Sequence, residues 1–145
     1  MLALASVLAA CGGGAPTKQE VVARADAICA GTLRDIRATP APTGGQSSLP
    51  ALAAYLRQVV PIVDKEAAQL RALPRPAQDR AVLDRYITAV GNSASEYRGL
   101  AAAAARGDRS GVVQALSTLQ ANPVQTLAQS YGLSQCSGAT GTGLG

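Results

Sequence analysis

From Thr17 onward, apolar residues recur at the three-and-four spacing of amphipathic helices, and proline or glycine interrupts the pattern at a few points. Val21, Ala25, Ile28, Thr32 and Ile36, widened by Val22, Cys29 and Leu33, share one side of a helix predicted over residues 18–37. Thr17-Lys18-Gln19-Glu20 has the Thr-x-x-Glu form of a capping box that would start it. Residues 38–48, with Pro40, Pro42, Gly44 and Gly45, read as a loop. Ser48 can cap a second helix with Pro50 in its first turn, where a missing amide proton costs nothing. Its stripe is Leu49, Leu52, Leu56, Val59, Val63, Ala67, Leu70 and Leu73. Pro61 removes the amide that would bond the Arg57 carbonyl, so a kink or break is expected near Val60, and Pro74-Arg75-Pro76 must end the helix.

Asp79 to Ala105 reads as a third helix with Leu83, Tyr86, Val90, Ala94, Tyr97, Ala101 and Ala104 along one side; Gly91 and Gly99 weaken it. Arg106-Gly107-Asp108 then closes one helix and opens the next, because glycine suits the left-handed position after a helix end and aspartate is a good N-cap. The same three residues spell an integrin-type adhesion motif, but any Arg before a Gly C-cap and an Asp N-cap produces it. The fourth helix carries Val112, Leu116 and Leu119 and kinks or stops at Asn122-Pro123; a last turn through Val124, Leu127 and Tyr131 ends at Gly132. Residues 137–145 read as a disordered Gly/Thr tail. The expected fold is all-α, an up-and-down bundle of four main helices over residues 17–136, kinked or broken at Pro61 and Pro123.

Composition agrees with close-packed helices. The chain has no Phe, Trp or His, so Tyr55, Tyr86, Tyr97 and Tyr131 are the only rings in an aliphatic core. Thirteen basic and nine acidic residues give a net charge of +4. The arginines are interleaved with acids (Arg24 near Asp26, Arg34 beside Asp35, Arg80 and Arg85 around Asp84), without the basic stripe that a nucleic-acid surface needs. No nucleic-acid partner is expected.

The apolar run Leu2 to Ala10 leads straight into Cys11 and then Gly12-Gly13-Gly14. It is too short to span a bilayer and has the form of a secretory signal core with a cleavage zone of small residues. Leu8-Ala9-Ala10-Cys11 closely resembles the lipobox of bacterial lipoproteins, in which the signal is cut before the cysteine and that cysteine carries the acyl chains. On that reading residues 1–10 are a signal peptide, Cys11 is the lipidation site, and residues 11–16 are a flexible tether. The basic residues that open such signals are missing before Leu2, so the true start is expected upstream. If Cys11 is acylated, Cys29 and Cys136 are left as a pair in an oxidising compartment, where a disulfide is the expected state; the alternative is two buried thiols. The bond would close a loop of 107 residues and could stabilise by up to about 4–5 kcal/mol in the chain-entropy account. Cys29 lies roughly 18 Å up the first helix. Cys136 must therefore reach mid-helix, through a break at Pro123 or a return after Gly132.

Ala25-Asp26-Ala27-Ile28-Cys29 in a first helix, Leu73-Pro74-Arg75-Pro76 before a long third helix, Ala105-Arg106-Gly107-Asp108 after it, and Tyr131-Gly132-Leu133-Ser134-Gln135-Cys136 near the end resemble small secreted proteins and lipoproteins of high-GC Gram-positive (actinobacterial) bacteria. The likeness covers nearly the whole mature chain. It implies a helical domain pinned by one disulfide and brings no catalytic residues.

Reactive chemistry has little to work with. Without histidine and with scattered acids, metal sites and Ser-His or Cys-His nucleophiles lack their parts, and no glycine-rich loop stands between a strand and a helix. A carboxylate pair such as Asp64 with Asp84 is conceivable across two helices, although charges on helix flanks are nearly always solvated. Tyr86 and Tyr97, three turns apart on one apolar face with Tyr55 opposite, could line a ligand cavity; ordinary core packing with the hydroxyls at the rim is the simpler account. The expectation is a lipid-anchored extracytoplasmic protein on the outer face of the cell membrane, without cofactor or catalysis. It would act as a binding or scaffold module toward an envelope protein or cell-wall component. The alternative is a carrier or sensor of a small apolar ligand or lipid held between helices.

Overall fold

The computed structural model describes residues 15–42 and 48–139, and within them the chain is helical with short connections. The capping box at Thr17 forms as the sequence requires: the Thr17 hydroxyl accepts from the Glu20 amide at 3.3 Å, and the Glu20 carboxylate accepts from the Thr17 amide at 2.8 Å. It opens α1, Lys18–Ala38, which buries Val21, Ala25, Cys29 and Thr32. The Ser48 hydroxyl caps α2, Leu49–Arg71, by accepting from the Ala51 amide at 3.4 Å. Every residue of the expected stripe from Leu49 to Leu73 is buried.

α2 runs through Pro61 without a break. Pro61 and Arg57 both lie on the exposed side of the helix, where water can replace the donor that proline lacks. An interior proline costs about 3 kcal/mol. Each buried Leu or Val of the opposite stripe contributes roughly 1.5–3 kcal/mol, so the packed face holds the helix together across the proline.

Arg80–Ala105 forms α3, Arg109–Ala121 α4, Val124–Tyr131 α5 and Ser134–Ala139 α6. The α3–α4 turn is the glycine reversal read from the sequence. Gly107 has φ 72°, the Asp108 amide reaches back to the Ala103 carbonyl at 3.0 Å, and the Asp108 carboxylate then accepts from the Gly111 amide at 2.9 Å. At Pro123 the chain does break. The Asn122 side chain donates to the Ala89 carbonyl of α3 and accepts from the Val124 amide, both at 3.1 Å, which ties the corner to α3 and starts α5.

The four main helices pack as the expected bundle, to which two short helices are added. α2 lies between α1 and α3, and α4 has its main contact with α3. Its buried stripe is only Val112 and Ala115, enough to cover one neighbour. The place next to α1 goes to α6, which α5 bridges to α3. Gly132, at φ 95°, reverses the chain between α5 and α6, with the Leu133 amide on the Ala128 carbonyl at 2.9 Å and the Gly132 amide on the Gln129 carbonyl at 3.0 Å.

α6 also corrects the expected tail boundary. Ser137 to Ala139 are helical, because the segment is anchored at Leu133 and Cys136, both buried, and capped from α1. Residues 140–145 of the expected tail lie outside the described residues, as do residues 1–10 of the expected signal and residues 11–14 of the expected tether. Cys29 and Cys136 are joined with their sulfurs 2.07 Å apart.

Candidate functional site

Of the three tyrosines singled out in the sequence, Tyr55 of α2 and Tyr97 of α3 lie within each other's influence across the α2–α3 pair, and Tyr86 stands three turns before Tyr97 on α3. Tyr55 and Tyr86 are buried, and Tyr97 is half-buried. The Tyr86 hydroxyl lies 3.7 Å from Cys29 Sγ, so its polar end meets the disulfide. Its pKa is pushed well above the ordinary phenol value, first by burial and then by the negative charges of Glu66 and Asp26. Burial likewise raises Tyr97, with Tyr55 and Glu66 adding to it, and raises Tyr55.

Sequence reasoning missed a residue that adds to the Tyr86 and Tyr97 shifts. Glu66 is 8% exposed, and burial alone moves its carboxyl from 4.5 up to about 7. No hydrogen-bond partner or cation stabilises its charged form among the described residues. The signal was in the pattern. Glu66 stands three residues after Val63 and four before Leu70, on the apolar stripe itself. The Glu66 carboxyl can hold or release a proton near neutrality, whereas the phenols stay protonated there.

The proposed carboxylate pair is not assembled. Asp64 is bound by Arg98 of α3, while Asp84 is bound by Arg75 from the α2–α3 connection at 3.1 Å. Among the described residues no group of three or more His, Cys, Asp or Glu side chains could hold a metal ion, and no helix is long and apolar enough to cross a membrane.

Three surface clefts are lined by other side chains than the tyrosine face. One of about 310 Å³ lies between α1 and α2, with Ile28, Thr32, Ile62 and Gln69 inside and Arg34, Asp35 and Lys65 charged along it. A second, about 530 Å³, runs between the start of α1 and the end of α5, where the Lys18 ammonium stands 4.7 Å over the Tyr131 ring and 3.9 Å from Asp79. Tyr131 is buried there, and its hydroxyl has no partner among the described residues. The third is an open hollow on the outer face of α4, around Val113. Cys11 lies outside the described residues. Comparison of the chain with models of protein families, with curated proteins and with solved structures finds no match.

Proposed function

We propose that this chain is an exported lipoprotein, held to the outer face of the cell membrane by acyl chains on Cys11, whose helical domain is a binding or scaffold module of the cell envelope. The observation that carries the reading is Leu8-Ala9-Ala10-Cys11 at the end of an apolar run and before a glycine tether. The bond between the other two cysteines supports it, since disulfides persist in oxidising compartments. Two or three acyl chains, at about 0.8 kcal/mol per buried methylene, would anchor such a protein firmly. The cation and anion pairs of the surface, Arg98 with Asp64 and Arg75 with Asp84, suit a solvated domain that meets a partner rather than a substrate.

Intact mass measurement of native material tests the anchor. A chain beginning at Cys11 with added acyl mass is expected, and an unmodified Cys11 would overturn it. Pull-down from intact envelope tests the module, with a Cys11→Ala control that should lose the enriched partner. Native mass spectrometry separates this role from carriage of an apolar ligand, which would appear as a bound adduct.

A further inference from the structure

The cleft of about 310 Å³ between α1 and α2 brings two cations to a polar floor. That floor is Thr32, 6% exposed, on a buried face of α1 otherwise made of Val21, Ala25 and Cys29. Thr39 and Thr118 return their hydroxyls to the carbonyl one turn back, at 3.0 and 3.1 Å. Thr32 makes no such bond among the described residues. Its hydroxyl is not sealed in either, since the sealed and unpartnered side-chain oxygen among the described residues is that of Tyr131. The Thr32 hydroxyl therefore opens into the cleft that it lines, with a proton to donate.

Arg34 and Lys65 stand on the two walls, from α1 and α2. Neither joins an ion pair among the described residues; the cations that do are Lys18, Arg75, Arg98 and Arg106. The Arg34 guanidinium lies back along α1, with Nη2 3.8 Å from where a Cβ on Gly31 would stand, so it follows the wall of the cleft. Ile28 and Ile62 are half-buried in the same walls, and Asp35 is the anion of the lining.

We propose that this cleft binds a small monocarboxylate with a short apolar chain, its carboxylate between Arg34 and Lys65 and its chain along Ile28 and Ile62, with the Thr32 hydroxyl donating to one oxygen. A guanidinium presents paired N–H groups in the plane that a carboxylate needs, and an ammonium adds a point charge beside it. Two cations against Asp35 leave a single positive charge, which matches a monoanion better than a dianion. Ligand clefts run from about 300 to 1,000 Å³, so this one takes a metabolite-sized acid rather than a whole lipid. The site is separate from the tyrosine face and independent of the anchor at Cys11.

The test is an amide NMR titration of the disulfide-intact chain with sodium hexanoate. Saturable shifts are expected at Ile28 to Asp35 and Ile62 to Gln69, and not in α4. Arg34→Gln and Lys65→Gln should each weaken binding by about tenfold, the usual loss of a charged hydrogen bond, and both side chains are exposed, so the fold is untouched. Thr32→Val, which keeps the shape and drops the hydroxyl, should weaken it less. Arg85→Gln removes an exposed cation of α3 outside the cleft and should change nothing. Hexanol, with the chain but no charge, and inorganic phosphate, with charge but no chain, should both bind more weakly than hexanoate. N-acetyl-valine carries the same chemistry in the form of a peptide's carboxyl end; tighter binding by it or by hexanoate supports the site and names the source. Shifts that do not saturate, equal binding of hexanol, tighter binding of phosphate, or an equal loss in Arg85→Gln would overturn the proposal.

Discussion

The carboxylate of Asp26 on α1 caps α6 across 108 residues of sequence: one oxygen accepts from the Ser134 hydroxyl at 2.8 Å and its amide at 3.3 Å. Its other oxygen takes the Gln135 amide at 2.9 Å. A helix of six residues cannot hold itself in water, since nucleation alone is unfavourable at that length. Asp26 supplies from α1 the N-cap that α6 lacks locally, and one turn later Cys29 supplies the covalent bond to Cys136. The spacing of Asp26 and Cys29 on one helix therefore sets both ends of the docked segment.

Asp26→Ala should cost about 1 kcal/mol, the usual cost of losing an N-cap, and should do so chiefly in α6. Urea unfolding gives the total, and hydrogen exchange at Gln135 and Cys136 gives the location. Asp26→Asn, which keeps one acceptor oxygen, should lose less. A uniform loss of protection over the whole bundle would contradict a cap that acts on α6.

Removing the disulfide has a larger effect than removing the cap. The bond closes 107 residues, and in the chain-entropy account its loss destabilises by up to about 4–5 kcal/mol. Cys29→Ser and Cys136→Ser should be equally destabilised, because either one opens the same loop. The native chain should also weigh two hydrogens less than the reduced chain by mass analysis under non-reducing conditions. Unequal midpoints in urea would mean that one sulfur has a further packing role, for which the Tyr86 hydroxyl beside Cys29 is the natural site.

The sequence carried the helices and their ends clearly, because each end rests on a short-range device. Thr17 with Glu20, Ser48 with Pro50, Gly107 with Asp108, and Gly132 all act within a turn of where they stand. What it carried poorly was which helix lies beside which. Asp26 meets Ser134 only in the folded chain, so neither the docking of α6 nor the outward place of α4 could be read from periodicity. Glu66 was legible as a charge on an apolar stripe, but its influence on Tyr86 and Tyr97 of α3 needs the packed pair.

Two glycines should respond to alanine with opposite signs. Gly99 lies exposed within α3, and an added Cβ would meet nothing within 4 Å. Alanine there should stabilise by about 0.5–1 kcal/mol through its better helix propensity. Gly107 also has open space around it, yet its φ of 72° is a conformation that alanine resists, and Gly107→Ala should destabilise by roughly 1–2 kcal/mol. Paired thermal melts of the two variants check both. A gain at Gly107 would mean that the α3–α4 turn can reform without the left-handed residue.

Pro61→Ala should make the protein more stable, although it alters the middle of a long and largely buried helix. The variant regains the amide that bonds the Arg57 carbonyl and removes the ring from a helix interior, a penalty of about 3 kcal/mol. Part of that gain is lost because alanine frees the unfolded chain by roughly 0.4–1 kcal/mol. Pro61 is exposed, so its ring contributes little packing to lose. A net gain of about 2 kcal/mol is expected as a higher denaturation midpoint with an unchanged slope. A fall instead would show that the fixed backbone of Pro61 helps the two halves of the α2 stripe, Leu49 to Val59 and Val63 to Leu70, to meet their neighbours together.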